Sequence, residues 1–305
     1  MIFKLLPLAA LVSVALAHIG PETQVSDAQL IARDHLAKRC ASASEAMFTK
    51  RKAAKRATEL AKRWTPHNDT IQNTTCILDQ DVTPGPYQLD GDLIRQNITD
   101  GEVGIPMILE IGVLDVLSCE PLANAYVDIW HCNSTGYYSK FTGVDPNEDH
   151  FCATCDTNTS QSDNLTFLRG IYPTDENGVV EFASVIPGYY YGRATHIHAQ
   201  VYKDVTVAQN GSVMVNDTLF HTSQFYFTDE FNAETDQIYP YSLHSALLNR
   251  TLDVDDTVIA AGNTTYVSQY LDVTYMGDTL EDGIYAYITV GVDSSASGNN
   301  CTFEC

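Results

Sequence analysis

From about residue 75 onward the apolar positions come in short runs rich in Val, Ile, Leu, Tyr and Thr, not at helical period. The runs at 106–118, 124–131, 178–186, 194–203, 222–228, 264–274 and 284–292 predict β-strands. Turn signals separate them, among them Pro84 to Pro86, Asn177-Gly178 and Pro187-Gly188. With no regular alternation of strand and helix, the pattern predicts an all-β sandwich or barrel. The N-terminal part is patterned differently. Residues 26–63 hold Ala, Leu, Lys and Arg, with no Pro or Gly until Pro66, and Ser26 can cap them, so they predict a helical arm. Residues 1–17 combine Lys4, a short apolar run and the small-x-small end Ala15-Leu16-Ala17, the pattern of a signal peptide. No other stretch has the run of roughly 20 apolar residues that a membrane span needs. The expected organisation is a signal peptide over 1–17, a basic helical arm or pro-segment over 18–63, and a mainly β domain over 64–305.

Composition sharpens this picture. At 305 residues and 44% apolar, the chain can build a sizeable core. Residues 64–305 contain six Lys and Arg (Arg95, Lys140, Arg169, Arg193, Lys203 and Arg250) against 34 Asp and Glu. Such an acidic body repels nucleic acid and anionic membranes. Eight cysteines in an exported chain predict disulfides. Cys152 and Cys155 have zinc spacing, but no second such pair completes a cage. Asn-x-Ser/Thr sequons at Asn68, Asn73, Asn97, Asn133, Asn158, Asn164, Asn210, Asn216, Asn249, Asn263 and Asn300 agree with a secreted glycoprotein. The pairs Lys38-Arg39 and Lys62-Arg63 are candidate processing sites. Cleavage after Arg63 would leave an odd number of cysteines in the body unless Cys40 stays tethered, which favours an arm bonded to the core. The arm is also a candidate homodimer contact.

The chemistry-bearing stretch is PGYYYGRATHIH, residues 187–198. In a strand, residues i and i+2 share a face, so His196 and His198 project together, as metal-binding imidazoles do. Two tyrosines follow glycine-bearing turns: Tyr138 in GYYS and Tyr190 in PGYY, with Tyr137, Tyr189 and Tyr191 as register competitors. Phenolate is a hard anionic ligand suited to Fe(III), and two phenolates with two neutral imidazoles favour the ferric state. A packed aromatic role for each tyrosine and a surface role for the histidine pair are the plainer readings of each feature alone.

Taken together, the motifs carry a resemblance. VDIWHCNSTGYYS (127–139), FLRG (167–170) with TDENG (174–178), and PGYYYGRATHIH (187–198) resemble, in order and spacing, the motifs of intradiol ring-cleavage dioxygenases. GPY (85–87) with Arg95 is similar to the entry segment of secreted fungal members. The resemblance covers about residues 75–230. It implies a β-sandwich of mixed strands, a ferric ion held by Tyr138, Tyr190, His196 and His198, and cleavage of a small aromatic diol by O2 to a muconate-type diacid. It places Arg193 and, through HTSQFY (221–226), Gln224 beside the substrate, with Tyr190 the ligand that yields to it. Arg169 is expected to be structural. Two other function classes stay open: a non-catalytic β-sandwich that binds polyphenol or polysaccharide, and a copper enzyme using His18 as the N-terminus left by signal cleavage.

Overall fold

The computed structural model describes residues 39, 40, 43, 82–148, 160–209, 211–215, 219–262 and 269–295. Two sheets form a sandwich. The first contains β1 (Pro106–Asp115), β2 (Glu120–Pro121), β5 (Val179–Val185), β10 (Asp272–Tyr275) and β11 (Ile284–Val292). Strand β1 is central: it runs parallel to β11 and antiparallel to β5 and β2. The second is antiparallel, in the order β4 (Arg169–Pro173), β3 (Tyr126–Trp130), β6 (His196–Tyr202), β9 (Leu219–Tyr226). A hairpin of β7 (Val205–Val207) and β8 (Val213–Val215) joins β6 to β9.

The period-2 pattern explains the core. Met107, Leu109, Ile111 and Val113 of β1 and Ile284, Ala286, Ile288 and Val290 of β11 face Val127 and Ile129 of β3 and Ile197, Ala199 and Val201 of β6. The residues between them on the second sheet therefore point away from that core. They include Asp128, Trp130, His196, His198 and Gln224, all buried. This outward yet buried face holds the candidate site.

The sandwich expectation holds, with three differences. First, strands β2, β4, β7 and β8 lie outside the expected runs; the β character of β4 is masked by the buried Arg169, Gly170 and terminal Pro173. Second, three short helices fall between 229 and 262: α1 (Asp229–Thr235), α2 (Tyr241–Ser245) and α3 (Thr257–Gly262). Thr228 caps α1 by accepting from the Phe231 amide, and Asp229 and Glu230 occupy its first turn. Third, the expected strand at 264–274 begins at Asp272, and 263–268 lie outside the described residues.

In the arm, Arg39, Cys40 and Ala43 are helical. Cys40 is disulfide-bonded to Cys119, with Cα atoms 5.0 Å apart. The Arg39 guanidinium donates to the carbonyls of Val116 and Leu117. The expected tether between arm and body is therefore present. The signal segment, His18, Lys62-Arg63, Cys152 and Cys155 lie outside the described residues. Among the described residues no helix is long and apolar enough to cross a membrane.

Candidate metal centre

The two tyrosine loops interlock through glycine. The loop after β3 is shaped by Asn133, whose Oδ1 accepts from the amides of Thr135 and Tyr137 while its Nδ2 donates to Glu102. Gly136 has φ of +90°, and a Cβ there would sit 2.3 Å from the Tyr189 carbonyl oxygen. A Cβ on Gly188 would sit 2.7 Å from the Ser134 carbonyl oxygen. With both side chains absent the loops close on each other, and Tyr138 and Tyr190 turn inward, 2% and 3% exposed. Of the register competitors, Tyr189 points to α2: its hydroxyl donates to the Leu248 carbonyl and its ring meets His244 edge-on. Tyr137 and Tyr191 are half-buried.

All six residues singled out from the sequence meet in one network. The Tyr138 hydroxyl lies 3.4 Å from His196 Nε2, which lies 3.1 Å from His198 Nε2. The Tyr138 and Tyr190 rings are 5.8 Å apart, and the Tyr190 and His196 rings 5.5 Å. His196 Nδ1 is 2.7 Å from the Ala194 carbonyl, which can only accept, so the proton sits on Nδ1 and Nε2 presents its lone pair to the cluster. Arg193 is fully buried. Its Nη1 donates to the Tyr190 hydroxyl at 3.5 Å and its Nη2 to Gln224 Oε1 at 2.5 Å and the Tyr226 hydroxyl at 3.3 Å. Gln224 is the cross-strand partner of His198.

The donor set fits a trivalent cation. Burial pushes the Tyr138 and Tyr190 phenols well above their ordinary range and the Arg193 charge only partly opposes it, so phenolate here needs a further strong positive charge. Burial also pushes the nearby Cys132 thiol up to about 12, leaving it neutral beside the cluster. Two hard oxygen donors and two neutral imidazoles, closed off from water, are what Fe(III) takes in preference to zinc or calcium.

Sequence reasoning missed the residues that hold this set in place. Trp130 pairs with His198 across β3 and β6, and the two rings stack 4.9 Å apart at 3°. Tyr87 stacks on Tyr138 at 4.3 Å and meets Tyr190 edge-on at 5.9 Å. Asp256 pairs with Arg193. Trp130 was readable in principle, since it sits in the first tyrosine motif on a predicted strand. Asp256 carried no local signal.

Residues 81–247 match the family model Dioxygenase_C, described as a dioxygenase. The chain is similar to an intradiol ring-cleavage dioxygenase from Tetranychus urticae, at 25% identity and a TM-score of 0.60, over 73% of this chain and 98% of that one. It is similar in fold to a second crystal structure described as a dioxygenase, at 24% identity and a TM-score of 0.58, with the same coverage of 73% and 98%. No curated protein matches the chain.

Proposed function

The chain belongs to the intradiol ring-cleavage dioxygenase family, and from that premise we propose that it is a secreted ferric enzyme that opens catechol-type rings with O2 to muconate-type diacids. The observation that carries this reading is the meeting of the buried Tyr138 hydroxyl with two imidazole Nε2 atoms, with the Tyr190 ring packed edge-on against both Tyr138 and His196. Tyr138, Tyr190, His196 and His198 would hold Fe(III). Bound there, the ion would supply Lewis acidity that draws electron density from a catecholate and favours reaction of a ring carbon with O2.

The chain's own residues do the rest. Tyr190 Oη would take up a substrate proton as the catechol binds; burial raises its phenol, so the side chain favours its neutral form once it holds that proton. Arg193 stabilises negative charge that builds on the ring in the transition state, as donors of an oxyanion hole do. Gln224 takes one arm of that guanidinium and keeps it aimed. Tyr87, Trp130, Phe141 and Leu89 exclude water around the reacting atoms. The signal-like N-terminus, the sequons and the Cys40–Cys119 bond support an extracellular, oxidising setting. The same reading takes the arm as a homodimer contact, which sedimentation of wild-type and arm-truncated protein checks.

The test is optical and chemical. Purified protein is expected to be red, with a broad tyrosinate-to-iron band, and to consume O2 with a catechol, giving a product heavier by both oxygen atoms. Tyr138→Phe is expected to bleach or shift the band and to lower iron content severalfold. A colourless wild type with full iron would sink the ligand assignment. Protein that takes up no iron would return the chain to the non-catalytic binding reading.

A further inference from the structure

We propose that Asp256 is a positioning residue: it anchors the Arg193 guanidinium beside Tyr190 and fixes the backbone that leads into His196. The inference rests on the dioxygenase reading for its effect on turnover, and on geometry alone for the anchor. Asp256 lies beyond the 81–247 family match, just before α3.

Four N–H donors converge on its two carboxylate oxygens. Oδ2 accepts from Arg193 Nε at 2.8 Å and from the Ala194 amide at 2.9 Å. Oδ1 accepts from the Val258 amide at 2.9 Å and the Ile259 amide at 3.2 Å, capping α3. Both partners of the ion pair are fully buried. Only an ionised carboxylate can receive all four donors, because any amide or acid would turn an N–H or O–H toward one of them. The charges agree. Burial opposes both ions, yet Arg193 holds the Asp256 carboxyl below its ordinary range, and Asp256 holds Arg193 charged.

The anchor has a direct line to the metal ligands. The Ala194 amide is held by Asp256, and the Ala194 carbonyl takes the Nδ1 proton of His196. On the other side the anchored guanidinium reaches Tyr190, Gln224 and Tyr226. A distant helix thus sets the aim of Arg193 without touching the substrate.

Asparagine separates the two jobs of this carboxylate. It is a good helix cap, so Asp256→Asn keeps α3 while taking the anion from Arg193. The measurements are hydrogen exchange of the peptide containing Arg193 and Ala194, the visible spectrum, and kcat and KM for a catechol, all on full-length iron-loaded protein. In Asp256→Asn the exchange of the Arg193–Ala194 peptide is expected to rise roughly tenfold. Iron and band are kept, KM is little changed, and kcat falls roughly 10–100-fold. If the peptide stays protected and kcat stays within about twofold of wild type, Asp256 is a helix cap only and the inference is overturned. A wild type that is colourless and inactive sinks the dioxygenase reading, while the exchange data still decide the anchor. If Asp256→Asn does not fold, Arg193→Met is compared with Arg193→Met/Asp256→Asn, which removes both buried charges together. Equal kcat in those two supports the anchor; a further tenfold loss in the double variant overturns it.

Discussion

Two buried arginines bracket the same row of side chains, and their surroundings assign them different work. Across the second sheet, Arg169, Trp130, His198 and Gln224 are register partners in turn. Arg169 ends the row on β4, and Arg193 reaches its other end by binding Gln224. Exposure does not distinguish them, at 1% and 0%. Their partners do. Arg169 donates to Ser139 Oγ at 3.0 Å and to the Ser139 carbonyl at 3.3 Å, and lies 5.9 Å from the Tyr138 ring centre on its outer side. The carboxyls of Asp92 and Asp128 act on its charge; burial pushes both up and they hydrogen-bond to each other, so the pair shares a proton instead of facing Arg169 as two anions. Arg193 instead is turned to the hydroxyls of Tyr190 and Tyr226, and its anion stands behind it. A buried guanidinium tied to main chain and serine holds a loop, whereas one tied to the hydroxyl of a candidate ligand and backed by a carboxylate can act on whatever binds there.

The largest effect that would break this contrast is on Arg169. Arg169→Met removes the cation facing the buried Asp92–Asp128 pair and the donor to Ser139, and is expected to cost about 3–5 kcal/mol of stability. Turnover per folded molecule should stay within a few fold of wild type. Chemical denaturation paired with active-site iron counts checks this; a stable but inactive Arg169→Met protein would end the contrast. Next comes Arg193→Leu. Arg193 is not a ligand, so iron and colour should stay, while kcat is expected to fall roughly 10²–10³-fold, or about 3–4 kcal/mol, by loss of a transition-state donor. Turnover near the wild-type rate would show the residue misassigned, and loss of iron would make it structural like Arg169.

The two sides of the row were not equally legible. His196 and His198 follow from strand period, a local signal; the glycine turns locate the two tyrosine clusters, and only the family resemblance chose Tyr138 and Tyr190 over Tyr137, Tyr189 and Tyr191. Gln224 was weaker, since the β7–β8 hairpin and a register irregularity at Val201/Tyr202 intervene before it comes opposite His198. Asp256 was silent: it reaches Arg193 from a six-residue helix 63 positions away, with no periodic pattern linking the two. The strands were read well where both faces obey alternation. Strand β4, the short strands β2, β7 and β8, and the helices after Thr228 were missed because tertiary packing, not propensity, decides them.

The smallest effect concerns His131, which shares the Arg169 side of the row and gives a third test of what a buried basic group does there. His131 Nδ1 is 2.8 Å from the Cys132 carbonyl, so it carries the proton, and Nε2 at 2.8 Å accepts from Ser184 Oγ. Both nitrogens are occupied, unlike the converging Nε2 atoms of His196 and His198, so this histidine is structural despite lying in the first tyrosine motif. Burial, with the positive charge of Arg169 adding to it, pulls its pKa from 6.5 down to about 4. A histidine whose folded pKa is depressed contributes stability above its unfolded value and loses it as pH falls toward the folded one. From pH 6.5 down to about 4 the folded protein should therefore lose about 3 kcal/mol through this group. Asp253 and Asp272, raised to about 6 mainly by burial, act in the opposite sense and favour the fold as pH falls through that value. The His131 contribution is isolated by subtraction: His131→Gln is expected to be less stable at pH 7 but to flatten the decline between pH 6.5 and 4. If wild type and variant fall in parallel over that window, His131 takes up its proton in the fold as readily as in the unfolded chain, and the surroundings of Arg169 tolerate a second cation that their packing says they should not.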